Sequence, residues 1–346
     1  LTIRKGKTVD GIDLRIPSVK KGRWRKYSNV DGLPDATIHD ILAAKNGTLW
    51  LATDRGVTMY DGKLFETYTT SEGLVGNRVL DICSAEKDQG LQKDGSGGKI
   101  WFATDKGLSN FDGKKFKNYT QEGSDLPSNN VLSIYSPLYR DLDGRETHAD
   151  IWIGTDNGLI RYNVMLNRFE GKKQQKDREY GIQSLPGNTI HDIVSDEKGD
   201  IWLATDGGAV RIRKKKINRV LTLVDGLPDL QVNAVASDKS GGMWIGTDGG
   251  AVHFNGEKID TVLTTADGLF TDKILSVFVD EEKNAWFGSG EKDVNLFHPY
   301  QLIGNLKSGV TRYDDQNLTT FIAEDGPPSR PVLAIGETAD GLMWFG

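Results

Sequence analysis

The stretch WLATDRGVTMYDGKLFETY, residues 50–68, decides how the chain is interpreted, because a close copy, WFATDKGLSNFDGKKFKNY, follows at residues 101–119. Looser copies begin at four further tryptophans, and a shortened copy begins at a fifth: Trp152, Trp202, Trp244, Trp286 and Trp344. A period of about 40 to 50 residues that is rich in tryptophan and glycine is typical of a β-propeller blade of four antiparallel strands. The repeat therefore predicts an all-β propeller.

Short runs of alternating polarity, separated by turn residues, divide the first repeat. They predict strands at 38–41, 49–52, 57–60 and 64–68. Gly56 and the pair Asp61-Gly62 supply the positive φ angles that tight turns need. The tryptophan on each second strand is expected to pack between adjacent blades, where such a ring buries about 150–250 Å².

The two ends of the chain complement one another. Residues 330–346 supply only an inner and a second strand, whereas residues 1–4 and 23–27 have the pattern of the third and the outer strand. We therefore expect one domain, residues 1–346, with seven four-stranded blades. The seventh blade would be formed by residues 330–346 plus 1–28, and this closure would remove open strand edges.

The composition excludes several classes of function. A net charge of −6 argues against a nucleic-acid surface, and the basic run RIRKKKINR, residues 211–219, is interpreted as a solvated hairpin. No apolar run approaches the ~18 residues of a membrane span. The opening LTIRKGKTVDG lacks the features of a signal peptide, so we expect a mature chain or a domain of a longer protein. The single cysteine, Cys83, excludes an internal disulfide and is expected to be a buried thiol.

Residues 50–82 and 101–134 resemble the two-component regulator propeller repeat, whose pattern is WxGTxxGLxxYDGxxFxxYTxxDGLPxNxVxxI, and residues 152–163 and 30–41 also fit it. The chain departs from the pattern at residues 286–290 and in blades four and five, where the third strand starts GGAV. The resemblance implies a periplasmic or extracellular sensor module of a bacterial hybrid histidine kinase or a related signalling protein. The sequence contains no kinase, receiver or DNA-binding part.

One face of the predicted ring carries the candidate ligand site. The Thr-Asp turns and the links between blades emerge there, and the residues entering the inner strands form a polar, mildly basic ring. Such a ring predicts binding of a small polar or anionic molecule, a saccharide or an organic anion. Its members are Thr37, Arg78, Asn130, Thr189, Gln231, Lys273, Pro331 and Arg330, with His39 and His191 two positions further along their strands.

Two long excursions, residues 171–187 and 290–308, are predicted on the same face, where long loops normally carry binding residues. The second excursion contains an aromatic cluster suited to covering a ligand, formed by Phe297, His298 and Tyr300.

Other acidic and histidine residues have simpler interpretations. Asp40, Asp81 and Asp192 are expected to accept hydrogen bonds from neighbouring backbone amides, and the recurring Thr-Asp aspartates are expected to form turns. The segment DLDGRE, residues 141–146, does not meet the spacing of a calcium loop. Because His39 and His191 lie in blades one and four without a third local ligand, no metal and no cofactor is predicted.

Three functions remain open at this point. A non-catalytic sensor is the first. The second is a metal-dependent lyase of the seven-bladed, antibiotic-inactivating type, for which His39, His191 and His298 are the available histidines. The third is a scaffold that presents a face to another protein or forms a homodimer.

Overall fold

The structure, a computed structural model, describes residues 24–44, 47–84, 99–137, 150–170, 185–290, 308–322, 325 and 330–346, and the backbone of residues 139–140 and 146–147. Within this part of the chain, antiparallel four-stranded sheets follow one another around a central axis. Inner strands pack against the inner strands of the neighbouring blades.

Each blade runs outward from the axis in chain order. Blade 1 consists of β1 (Ile38–Ala43), β2 (Leu49–Thr53), β3 (Gly56–Tyr60) and β4 (Phe65–Tyr68). Blade 2 consists of β5 (Val79–Ser84), β6 (Ile100–Thr104), β7 (Gly107–Phe111) and β8 (Phe116–Tyr119). Blade 3 consists of β9 (Val131–Tyr135), β12 (Ile151–Thr155), β13 (Gly158–Asn163) and β14 (Arg168–Glu170). A separate two-stranded ribbon in blade 3 consists of β10 (Tyr139–Arg140) and β11 (Glu146–Thr147).

Blades 4 to 6 repeat the arrangement. Blade 4 consists of β15 (Ile190–Ser195), β16 (Ile201–Thr205), β17 (Gly208–Arg213) and β18 (Lys216–Leu221). Blade 5 consists of β19 (Val232–Ser237), β20 (Met243–Thr247), β21 (Gly250–Phe254) and β22 (Ile259–Leu263). Blade 6 consists of β23 (Ile274–Val279), β24 (Ala285–Gly290), β25 (Ser308–Tyr313) and β26 (Leu318–Ile322). Two 3-10 turns, Asn29–Asp31 and Leu223–Asp225, precede blades 1 and 5.

The tryptophan of each second strand fastens its blade to the next one. Trp50 is fully buried among side chains of blade 2, including Val79 and Phe102. Trp101 packs against blade 3 and Trp202 against blade 5 in the same way. The predicted role of these rings in packing between blades is confirmed. Since the repeat supplies one tryptophan per blade, the core is a series of similar clusters rather than a single centre.

A β-bulge shapes every inner strand of the six blades. In blade 1 the register moves from Ile38↔Thr53 to Asp40↔Ala52, which leaves His39 without a partner across the ladder. The same shift leaves out Leu80, Leu132, His191, Asn233 and Leu275 in the other blades. A bulge reorients the unpaired residue, so the second residue of each inner strand is set apart from the sheet near one end of the axis.

The prediction of seven four-stranded blades is wrong: the described part of the chain forms six four-stranded blades. At the expected seventh position lies a two-stranded sheet of β27 (Ile335–Glu337) and β28 (Met343–Phe345), between the inner strands of blades 6 and 1. Trp286 of blade 6 packs against it, and its own Trp344 packs against blade 1. These two tryptophans therefore join the two-stranded sheet to the blades on either side of it.

The described part of the predicted outer strand 23–27, residues 24–27, contacts this sheet without joining it. It forms no strand, and it is held through side chains. The Tyr27 ring stacks on the Trp344 ring with 5.6 Å between their centroids. The centroids of the Trp24 and Phe345 rings lie 5.5 Å apart. Residues 1–23 lie outside the described part of the chain, so the assignment of residues 1–346 to one domain stays a prediction.

Candidate functional site

A channel runs along the axis of the ring and encloses a cavity of about 690 Å³. Inner strands of all six blades and of the two-stranded sheet line it. Most of the lining is aliphatic, and polar groups enter it at the bulges, where His39, His191 and Asn233 reach the cavity. The turns between second and third strands and the links between blades surround this end of the channel, which we call the funnel face.

The first polar cluster at the funnel face joins blades 1 and 2. His39 Nε2 donates to Asp54 Oδ1 across 2.8 Å, and Arg78 Nε donates to the same oxygen across 3.0 Å. The His39 side chain is largely buried, at 11% exposure, whereas that of Arg78 is 56% exposed. The bulge therefore holds the imidazole in a fixed place, and the guanidinium keeps most of its surface in water.

The second cluster joins blades 4, 5 and 6. The Gln231 side-chain amide lies 2.8 Å from His191 Nε2. Asn233 donates to Asp248 Oδ1 across 2.7 Å, and Lys273 Nζ lies 3.3 Å from Asp248 Oδ2. This cluster repeats the first in its chemistry, because a bulged residue and a cation from the next blade again share one Thr-Asp aspartate.

The remaining predicted site residues have smaller roles or lie elsewhere. Asn130 donates to Asp156 Oδ2 across 3.0 Å, and the backbone N–H of Thr189 donates to Asp206 Oδ1 across 3.4 Å. The backbone N–H of Thr37 donates to Asp35, and Arg330 is exposed. Phe297, His298 and Tyr300 lie outside the described residues, as do most of the two long excursions and the DLDGRE segment.

The aspartates of the Thr-Asp turns were expected to form the turns, and the hydrogen bonds show that threonine does so instead. Thr53 Oγ1 donates to the carbonyl of Gly56 and accepts from the backbone N–H of Arg55. Blades 2 to 5 repeat this pair of bonds at Thr104, Thr155, Thr205 and Thr247. With the turn held by threonine, the carboxylates of Asp54, Asp156 and Asp248 are available to the funnel face.

Deeper in the channel, aspartates link neighbouring blades as expected. Asp40 Oδ2 accepts the backbone N–H of Ile82 across 3.0 Å. Asp81 Oδ2 accepts that of Ile134 across 2.6 Å, and Asp192 Oδ2 accepts that of Val235 across 2.9 Å. Serine takes the equivalent place in blades 3 and 6: Ser133 donates to the carbonyl of Ile190 in blade 4, and Ser276 donates to that of Val332, just before the two-stranded sheet.

Burial in the channel favours the neutral form of these carboxyl groups. It raises the pKa of Asp192 to about 6, although backbone N–H groups that donate to its carboxylate oppose the shift. Burial also raises the pKa of Asp40, although hydrogen bonding from Asp81 and from backbone N–H groups opposes the shift. Burial and the neighbouring charge of Asp40 raise the pKa of Asp81 well above its ordinary value. The channel is thus less negative at neutral pH than its three aspartates suggest.

The arrangement favours reversible binding of a polar molecule at the funnel face. Arg78 and Lys273 are each paired there with an aspartate, with side chains 56% and 33% exposed, and ion pairs near the surface contribute about 0–1 kcal/mol. An incoming anion can therefore replace the aspartate at small cost. Among the described residues, no group of three histidine, cysteine or acidic side chains is placed to hold a metal ion.

Three segments of this chain, residues 32–55, 184–207 and 226–249, match the family model of the two-component regulator propeller. These segments are two-component regulator propeller repeats. Each one runs from a link between blades, through the bulged inner strand, to the Thr-Asp turn. The matched repeats therefore contain the bulged residues His39, His191 and Asn233. They also contain the aspartates of the corresponding Thr-Asp turns, Asp54, Asp206 and Asp248.

Solved structures of the same fold come from several kinds of protein. The extracellular domain assigned to a hybrid two-component system, BT3049 of B. thetaiotaomicron, is 20% identical with a TM-score of 0.68, over 93% of this chain and 40% of that one. Virginiamycin B lyase from Staphylococcus aureus is 12% identical with a TM-score of 0.62, over 89% and 91%. PorZ, a surface component of the type-IX secretion system of Porphyromonas gingivalis, is 16% identical with a TM-score of 0.57, over 91% and 47%.

The present chain thus spans less than half the length of BT3049 and PorZ. A search of curated protein sequences found no match. Within the part of the chain that the structure describes, no helix has the length and apolar character needed to cross a membrane.

Proposed function

We propose that this chain is the input module of a bacterial signalling protein, placed outside the cytoplasm, and that it binds a small polar or anionic molecule at the funnel face without transforming it. The repeat family and the likeness in fold to the extracellular domain of BT3049 support a signalling context. An organic anion or a saccharide is the ligand class that the funnel face favours, because its surface combines guanidinium, ammonium, imidazole and amide groups.

The observation that carries the proposal is the pair of clusters at one mouth of the channel. The His39–Asp54–Arg78 cluster lies in blades 1 and 2, and the cluster around Asp248 lies in blades 4 to 6. A ligand carboxylate that replaces Asp54 as the partner of Arg78 gains a charge-assisted bond to a planar donor. A ligand amide or hydroxyl can in turn bond with Gln231 and Asn233.

A thermal-shift screen with neutral oligosaccharides and organic acids, repeated with a metal chelator, tests this function. We expect a saturable rise in melting temperature that the chelator leaves unchanged. Arg78→Ala should weaken binding about tenfold or more, the loss of one hydrogen bond to a charged group. The same substitution should leave the stability of the free protein nearly unchanged, because the Arg78–Asp54 pair is exposed.

Lys114→Ala is the matched control, since Lys114 is an exposed cation on the opposite face of blade 2. Equal binding by wild type, Arg78→Ala and Lys114→Ala would place the ligand away from the funnel face. A shift that depends on a divalent metal would support the lyase alternative instead. A large drop in melting temperature of Arg78→Ala without ligand would mark Arg78 as structural.

A further inference from the structure

A second cleft lies on the opposite face of the ring, between blades 3 and 4. Its volume is about 550 Å³. Trp152, Ile201 and Ile212 form an apolar floor and are themselves almost completely buried. The rim consists of five cationic side chains, from Arg161, Lys198, Arg213, Lys214 and Lys215.

The charges around this cleft do not balance. Arg213 is fixed by Asp200, with its Nε and one terminal nitrogen 2.8 Å and 2.7 Å from Asp200 Oδ2. Arg161 is held by Asp150, 2.6 Å away, and by Glu170. Five cations thus face three carboxylates, a net charge of +2.

The side chains of Lys198, Lys214 and Lys215 are exposed to solvent, and the charge of Lys215 also acts on Asp150. The excess positive charge is therefore at the surface, where a charged ligand can reach it.

The hairpin that carries two of these lysines has an unfavourable backbone. Lys214 and Lys215 lie between β17 and β18 and both adopt positive φ, 47° and 65°. A turn with two positive φ angles favours Asn-Gly or Asp-Gly. The hairpins of blades 1 and 2 place Gly62 and Gly113 at their positive φ positions.

Side chains other than Gly, Asn and Asp are uncommon in this conformation, and strain of this kind is concentrated at functional sites. In blade 4 the turn has lysine at both positive φ positions, whereas the turns of blades 5 and 6 have one such lysine each, Lys239 and Lys283.

We propose that this cleft is a binding site for a phosphate-class anion, separate from the funnel face. Lys214 and Lys215 would supply ammonium donors from the hairpin, and Lys198 would supply one from the loop between β15 and β16. The fixed guanidinium groups of Arg161 and Arg213 add positive potential. The buried apolar floor exposes little surface, so the cationic rim is the part that would hold the anion. This inference does not rest on the function proposed for the funnel face.

The double substitution Lys214→Asn and Lys215→Gly separates charge from folding, because it removes both cations and supplies the residues that the turn prefers. Without ligand, its melting temperature should equal or exceed that of the wild type. Inorganic phosphate and glycerol 3-phosphate, titrated against potassium chloride of the same ionic strength, should bind the wild type saturably. The double variant should bind them at least tenfold more weakly.

The matched control is Lys114→Gln with Lys115→Gln, which removes two exposed lysines at the equivalent hairpin of blade 2 and should bind as the wild type does. Lys198 lies outside the strained turn, so a variant at this position tests the site independently of the hairpin. Lys198→Gln should weaken phosphate binding at least threefold. Binding of glycerol 3-phosphate but not inorganic phosphate would assign the site to phosphomonoesters, and the reverse would assign it to the free anion.

Either of those outcomes supports the site. The proposal is overturned if potassium chloride produces the same effect as the phosphates, or if the double variant and Lys198→Gln both bind phosphate as tightly as the wild type does.

Discussion

Replacement of Asp192 by asparagine should flatten the dependence of stability on pH. Burial raises the pKa of this carboxyl to about 6 from an ordinary value of 3.8, and the charge of Asp40 acts in the same direction. Because the folded state binds the proton more tightly than the unfolded state, the contribution of Asp192 is fully present below about pH 4. It is lost as the pH rises through about 6.

The size of the effect follows from the two pKa values. The gap between 3.8 and about 6 corresponds to about 3 kcal/mol. This figure is an upper bound, since the side chain is partly accessible to water in the channel. Between pH 4 and pH 7 the free energy of unfolding of the wild type should therefore fall, relative to that of Asp192→Asn, by up to about 3 kcal/mol.

Urea unfolding at pH 4, 5, 6, 7 and 8 measures the difference between the two proteins. Asp206→Asn, at an exposed turn of the same blade, is the control and should follow the wild type. Asp192→Ser guards against a folding defect, because Ser133 and Ser276 hold the same position in blades 3 and 6. Parallel pH profiles for wild type and both Asp192 variants would show that the carboxyl is not desolvated, and the reasoning would fail.

Two further predictions concern the packing of the ring. Trp101→Ala should lower the free energy of unfolding by about 3–5 kcal/mol in chemical denaturation, since the ring is buried between blades 2 and 3. A loss below about 1 kcal/mol would show that Trp101 does not stabilise the packing of these two blades. Removal of residues 1–28 should lower the melting temperature, because it deletes the contacts of Trp24 and Tyr27 with Phe345 and Trp344. Tyr27→Ala alone should reproduce part of that loss, and a truncated protein that melts like its parent would show that the two chain ends are independent.

The blades themselves could be predicted from the sequence because each repeat contains the residues that mark its strands and turns. Tryptophan marks the second strand, glycine with positive φ marks the turns, and the alternating runs mark the strands. The strands of blade 1 fall within two residues of their predicted bounds. The placement of Asp40, Asp81 and Asp192 against backbone amides was also predicted, because acidic residues on an inner strand must find donors nearby.

The number of complete blades and the partners at the funnel face could not be predicted in this way. Residues 23–27 have the polarity of an outer strand, but alternation does not show whether backbone hydrogen bonds form, and in the structure Tyr27 is held by ring contacts. Spacing along the chain places Arg78 in blade 2 and Asp54 in blade 1 without showing that they meet across 3.0 Å. The role of Thr53 was missed because threonine and aspartate are adjacent in every turn, and sequence alone does not say which one bonds the backbone.

The tryptophans of the second strands all reach in the same direction around the ring, from each blade into its successor. A duplicated blade inserted anywhere in such a series brings a tryptophan that packs on the next blade. It also provides the surface on which the tryptophan of the preceding blade packs. Blade number can therefore change by gene duplication or deletion without redesign of any junction. The two-stranded sheet follows the same rule within the described residues, because it receives Trp286 and contributes Trp344 to blade 1.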